Sequence, residues 1–204
     1  MERLSISFVT IFYVIIAMIG FLCDHWLANI DVLIWHNEYQ TSIVLDAGLG
    51  AGVGIAVVIA SQVLDRTTKW ARLLTSEFTK MLGSLSVTQA FVFALCSGVA
   101  EEIFFRGFLQ QLLSVHVFAG EHAVLFGLIL SSLIFGGLHI GPDFRKFWPW
   151  MVMAIVLGAV FGGLYIYTGN LLAPILAHFT INFFNLLLMS PNQEIYAVEV
   201  SDEE

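Results

Sequence analysis

The sequence predicts an all-α fold, a polytopic membrane helix bundle with about six transmembrane helices and both termini inside (N-in/C-in). Three observations carry this expectation. Of 204 residues, 58% are hydrophobic and 12% charged, and the mean hydropathy is +0.87. Soluble domains hold about 45–50% apolar and about 25% charged residues. The apolar residues gather into runs near the roughly 20 residues that a helix needs to cross a bilayer. Outside those runs, Lys and Arg occur only in alternate connections.

The first run covers about residues 5–23. It is longer than the roughly 7–15 residues of a signal-peptide core, and Asp24, His25 and Trp26 follow it in place of a small-residue cleavage site. It therefore reads as a retained helix. The second run covers about 42–63. The connection from about 64 to 85 mixes Arg66, Lys69, Arg72 and Lys80 with Trp70, Leu73, Leu74, Phe78, Met81 and Leu82, the pattern of an interfacial amphipathic helix. The third run, about 87–118, is long and carries charges. The last three, about 121–140, 149–168 and 171–189, are joined by short loops and should be antiparallel neighbours. Pro149 and Pro174 fall near helix starts, where proline is tolerated.

Arg3 precedes the first run, Arg66 to Lys80 fill the second connection, and Arg145 and Lys146 lie between the fourth and fifth. The alternate loops carry no Lys or Arg; 24–41 holds Asp24, Asp31 and Glu38, and 119–121 and 169–170 are nearly bare. The excess of cations marks one side as cytoplasmic. The net charge of −8 comes largely from an acidic tail (Glu194, Glu199, Asp202, Glu203, Glu204). No basic stripe exists to bind nucleic acid, so the expected partners are the lipid bilayer and a membrane protein or peptide. Cys23 and Cys96 sit in apolar runs and read as small buried hydrophobes.

Against this background the polar residues inside the runs are conspicuous. A carboxylate at bilayer depth costs roughly 2.5–3.5 kcal/mol on insertion scales, and such groups mark functional sites. Glu101 and Glu102 are adjacent, with Arg106 after them; His139 ends Phe135-Gly-Gly-Leu-His139; His178 precedes Asn182 by one helical turn. Residues at i and i+4 share a helix face, so Glu102 can pair with Arg106 and His178 lies beside Asn182. Glu101 then points elsewhere. Gly158, Gly162 and Gly163 form a small-residue pattern that permits close helix packing. The turn between the third and fourth runs centres near Gly120, with Glu101 and His139 each about 19 residues from it. In an antiparallel hairpin rising about 1.5 Å per residue they are level. Straight vertical helices would leave His178 more than about 10 Å from His139 in depth, so tilt, a break at Gly136-Gly137 or a shifted turn must bring them together.

These three motifs, in this order on successive apolar segments, resemble those of the CAAX protease and bacteriocin-processing (CPBP, or ABI) family of intramembrane proteases, related to the type II CAAX prenyl endopeptidase. The resemblance covers about residues 87–189. It implies an intramembrane endopeptidase that hydrolyses a peptide bond of a membrane-associated protein. By this resemblance Glu101 is the base that activates water and His139 shares that water. His178 and Asn182 stabilise the oxyanion, and Glu102 and Arg106 brace the helix and orient Glu101. It divides the chain into N-terminal helices and an amphipathic connection (1–85), a catalytic core (86–189) and an acidic tail (190–204). The spacing is not HExxH, so no local motif demands a cofactor. A metal-dependent version, a metalloendopeptidase, would use Glu101, His139 and His178 with Zn2+. The small size suggests a bacterial inner membrane. The alternatives are a non-proteolytic membrane protein for bacteriocin immunity or regulation, and an ion pathway built from the same acids and histidines.

Overall fold

The computed structural model describes residues 5–28, 31, 33–34 and 41–189. Arg3, Glu38 and the acidic tail lie outside the described residues. Among the described residues seven α-helices follow in chain order, α1 (Ile6–Cys23), α2 (Ile43–Thr67), α3 (Lys69–Leu82), α4 (Val87–Glu102), α5 (Ala123–Gly137), α6 (Phe144–Thr168) and α7 (Leu172–Met189). A π-helical turn, Asp24–Ala28, extends α1, and two further π-helical stretches, Ile103–Gln110 and Leu113–Val117, extend α4.

Five of these units are long and apolar enough to cross a membrane: Ile6–Leu27, Ile43–Thr67, Val87–Val117, Phe144–Thr168 and Leu172–Met189. Their outward faces are apolar, as with Phe8, Ile11, Val44, Ile59, Val115 and Val156, all exposed. That arrangement suits a hydrocarbon solvent, against which backbone polar groups are satisfied within each helix. The chain is therefore a multi-pass helical membrane protein. The fourth expected span differs. The run 121–140 yields only the 15-residue α5, about 22 Å at 1.5 Å per residue and too short to cross alone. Its partner α6 is longer than expected. Asp143 accepts a hydrogen bond from the Arg145 amide at 3.0 Å and so starts α6 before Pro149, which lies inside the helix.

The amphipathic connection forms α3, which buries Ala71, Leu74 and Ser76 and exposes Trp70 and Leu73. Ser86 and Gln89 cap α4 reciprocally through the Ser86 side chain and backbone. Helix α7 packs chiefly on α2 and α4 and less on α6. The α2 contact is close because Gly50 and Gly54 face α7: a Cβ on Gly54 would lie 2.6 Å from Cβ of Thr180. Of the glycines expected to pack in α6, Gly158 meets Ser132 and Gly162 meets Gln110 and Leu128, whereas Gly163 faces open space. Cys23 and Cys96 are free thiols, half-buried.

Candidate active site

The site begins where α4 changes its winding. Glu101 and Glu102 are the last residues of its α-helical part, and the wider π turns start at Ile103. Such insertions in a helix recur at functional sites, because they redirect the side chains that follow. Here the π stretch turns Arg106 and Gln110 towards α6. Arg106 Nη2 donates to the carbonyl of Gly158 at 3.2 Å, and Gln110 Nε2 donates to that of Gly162 at 3.3 Å. The missing Cβ of Gly162 makes room for Gln110, and that of Gly158 makes room for Ser132 and Phe135 of α5.

Glu102 is wholly buried, and Arg106 is 1% exposed. Arg106 Nη1 donates to Glu102 Oε1 at 3.0 Å. The guanidinium also lies 4.4 Å from the centroid of Phe135 and 5.3 Å from that of Phe161, so the charge is held by a carboxylate and two aromatic faces. The same Glu102 oxygen accepts a second hydrogen bond, from Nδ1 of His178 at 2.7 Å. The His178 ring stacks on Phe161, centroids 5.0 Å apart and planes 18° from parallel. The hydrogen bond and the stack fix this imidazole, and its Nε2 lies 3.9 Å from Oε2 of Glu101.

His139 approaches the same oxygen from the other side. Helix α5 stops at Gly137, and His139 lies just beyond it in the turn, not within a helix as the run 121–140 implied. Its ring folds back along α5, with Nδ1 2.7 Å from the carbonyl of Phe135. A carbonyl only accepts, so Nδ1 carries a proton, and in the neutral ring Nε2 is the nitrogen with the lone pair. That Nε2 is 3.7 Å from Oε2 of Glu101. Glu101 is 8% exposed, and its Oε2 has no hydrogen-bond partner.

The depth gap expected between the two histidines closes in two ways. His139 reaches back towards α5 through its side chain, and α7 packs chiefly on α2 and α4, so that both imidazoles come within 4 Å of Oε2 of Glu101. Asn182 lies one turn from His178 on α7, half-buried, and its Nδ2 donates to the Ser97 hydroxyl at 2.9 Å. A cavity of about 450 Å³ opens alongside, with Tyr13, Ser97, Trp150 and Asn182 among its walls. Glu101, Glu102, Arg106, His139, His178 and Asn182 therefore all meet in one region. Sequence reasoning missed two contributors. Ser97 lies one helical turn before Glu101, a signal that was available; Tyr13 lies on α1, far from any motif.

The zinc set raised by the sequence is not formed. Among the described residues no group of three or more His, Cys, Asp and Glu side chains is arranged to hold a metal ion.

Fold and site together define a multi-pass membrane protein with an acid–imidazole centre buried in its helix bundle. Residues 83–184 match the family model described as type II CAAX prenyl endopeptidase Rce1-like, and the chain belongs to this protease family. The matched stretch contains every motif residue above. A curated relative, the uncharacterized protein YpbD of Bacillus subtilis (strain 168), is 33% identical over 105 residues, covering 50% of this chain and 47% of YpbD. The chain thus spans about half the length of the curated relative it matches. No solved structure gives a significant match.

Proposed function

We propose that this protein is an intramembrane endopeptidase that cleaves a membrane-associated protein by metal-free, glutamate-activated hydrolysis. One observation carries the reading: Oε2 of Glu101, buried and without a hydrogen bond, faces a lone-pair nitrogen of His139 across 3.7 Å. Two acceptors at that separation have nothing to share directly. A water between them satisfies both by donating one proton to each. That water has its oxygen lone pairs free for attack.

In the reaction Glu101 takes one proton as the water oxygen bonds to the scissile carbonyl carbon. The carbonyl becomes an oxyanion. His178 Nε2 and the second Nδ2 proton of Asn182, the first being held by Ser97, are the donors for it. In that role His178 carries protons on both nitrogens, and Glu102 balances its charge through Nδ1. Collapse breaks the C–N bond, and the proton on Glu101 passes to the leaving amine. Arg106 keeps Glu102 in place. The cavity beside Ser97 and Asn182 supports entry of a peptide segment.

The same reading takes residues 86–189 as the catalytic core and the flanking helices as its membrane frame. The Lys and Arg bias supports cytoplasmic termini, and the likeness to a Bacillus protein supports a bacterial cell membrane. The test is a comparison of protein termini in membrane and secreted fractions from cells expressing wild type or Glu101→Ala. Loss of at least one new terminus in the variant is expected. Identical sets of termini would refute proteolysis as the function.

A further inference from the structure

Of the residues that meet at the centre, His139 alone lies outside a helix. Helix α5 ends at Gly137, and one hydrogen bond, from Nδ1 to the Phe135 carbonyl, ties the ring. Two aromatic rings touch it. The Phe135 centroid is 4.4 Å from that of the imidazole, and Trp150 of α6 meets the imidazole edge to face at 5.8 Å. The turn that carries His139 is pinned as well. Gly141 has a φ of +69°, and a Cβ there would lie 2.5 Å from Cγ of Phe147. Phe147 and Trp150 are one helical turn apart on α6 and share a face. Both meet a single side chain of the amphipathic helix, Phe78 of α3, edge to face at 5.2 Å each. Phe78 precedes the stretch 83–184 that carries the family match.

We propose that Phe78 is a positioning residue for His139, bracing Trp150 against the imidazole and Phe147 against the turn at Gly141. The chemistry requires a brace at this place. The role proposed for His139 needs its Nε2 to stay 3.7 Å from Oε2 of Glu101, a separation that one water bridges. A misplacement of about 1 Å costs on the order of 100-fold in rate. The hydrogen bond to Phe135 holds Nδ1 but leaves the ring free to swing about that nitrogen, and the ring contacts with Phe135 and Trp150 restrict the swing. Aromatic pairs at these separations favour edge-to-face geometry, so a ring that is itself held passes its orientation on. Phe78 holds two such rings, one for the side chain of His139 and one for its backbone turn. Lys146 and Glu77, 3.0 Å apart, fasten α3 to α6 beside these contacts. Phe78 and Trp150 also line the cavity, so the brace stands in the wall that a substrate segment would pass. An amphipathic helix is held by the bilayer surface, and here the apolar face of α3 reaches the active site.

This inference rests on the role proposed for His139, and its test separates the two. The full chain, with nitrogen-15 in its histidines, is studied by solid-state NMR in lipid nanodiscs without substrate, at a pH where the His139 ring is neutral. The His139 signals are assigned by their loss in His139→Gln. Wild type should show one protonated and one unprotonated ring nitrogen, as the bond to Phe135 sets them. Phe78→Leu keeps apolar bulk and removes the ring. In it the two His139 signals should move towards each other as the tautomers exchange, while those of His178, held by Glu102 and Phe161, stay in place. In cells, the termini lost in Glu101→Ala should form about 10–100-fold more slowly in Phe78→Leu. Phe78→Tyr keeps the ring and should restore the wild-type rate. His139 signals unmoved by Phe78→Leu, equal shifts at His178, or termini formed at the wild-type rate would each overturn the inference. Undiminished cleavage by Glu101→Ala would instead overturn the proposed function, while the NMR arm still decides the brace. If Phe78→Leu fails to fold, Trp150→Leu removes the ring that touches His139, and unmoved His139 signals in that variant overturn the inference.

Discussion

Nδ1 of His178 lies 2.7 Å from Oε1 of Glu102, the oxygen that also receives Arg106 at 3.0 Å. Helical spacing paired Glu102 with Arg106, and the family resemblance implied that the pair orients Glu101. The structure gives Glu102 a second and more specific task, since it fixes the ring and the tautomer of His178. In the proposed mechanism the two adjacent glutamates serve opposite ends of one reaction, Glu101 the water and Glu102 the oxyanion donor.

Removing Arg106 should be worse for the fold than for any single bond. Arg106→Leu leaves Glu102 as an uncompensated buried charge, a defect worth about 3–5 kcal/mol. The double variant Glu102→Gln with Arg106→Leu should recover part of that loss, because no charge is stranded. Thermal unfolding of the three proteins in one detergent checks this. Equal stability of the single and double variants would contradict a coupled pair.

Glu101→Gln and His139→Ala should each lower cleavage by about 100- to 10,000-fold, the range of a lost general base. Both proteins should remain folded, since neither side chain holds an ion pair with Arg106. Yields and melting temperatures near those of wild type, together with loss of the new termini, are the expected pattern. Their combination should cost little more than either alone, as groups acting on one water are not additive.

Asn182→Ala should cost about 100- to 1,000-fold through loss of an oxyanion donor. Ser97→Ala removes only the acceptor that holds Asn182, and should cost less. A Ser97→Ala effect equal to that of Asn182→Ala would mean that Ser97 itself touches the substrate.

Much of this site was legible in the sequence because its elements are local or pairwise. The apolar runs marked the helices, the i, i+4 spacing paired Glu102 with Arg106, and equal distances from Gly120 set Glu101 level with His139. What was not legible depends on three dimensions. The 15-residue α5 and the early start of α6 follow from the turn after Gly137 and the cap at Asp143, which hydropathy does not register. The π turns after Glu102 arise where Arg106 and Gln110 must reach α6 carbonyls. The contact between Ser97 and Asn182 crosses between helices, and no spacing rule encodes it.

The α2–α7 contact offers a stability test remote from the chemistry. Gly54 sits so close to Ala177 and Thr180 that a Cβ there would lie 3.0 Å from the Ala177 carbonyl oxygen. Gly54→Leu should destabilise by about 1–3 kcal/mol, the cost of overpacking. Gly52, with nothing within 4 Å, is the control, and Gly52→Leu should be nearly neutral. Similar melting temperatures for the two variants would argue against this helix pairing.

At the rim of the bundle, Glu77 on α3 accepts hydrogen bonds from Lys80 at 3.1 Å and from Lys146 on α6 at 3.0 Å. Burial alone would raise its pKa, but the hydrogen bonds from Lys146 and Lys80, with their charges, outweigh it and hold the carboxyl below its ordinary value. A carboxyl whose folded pKa is depressed stabilises the protein above its unfolded pKa, about 4.3 for glutamate, and loses that contribution as pH falls through the folded value. The lysines are more than half exposed, 62% and 53%, so the whole contribution is expected at about 0.2–1 kcal/mol. Glu77→Gln should loosen α3 from α6 by that amount at neutral pH and by nothing once the wild-type carboxyl is protonated. Limited proteolysis of the α3 segment at neutral and acidic pH reads the difference. Added salt should shrink it at neutral pH, because exposed ion pairs are screened. A Glu77→Gln effect that persists unchanged in acid and in high salt would show that the residue acts through packing and not through its charge.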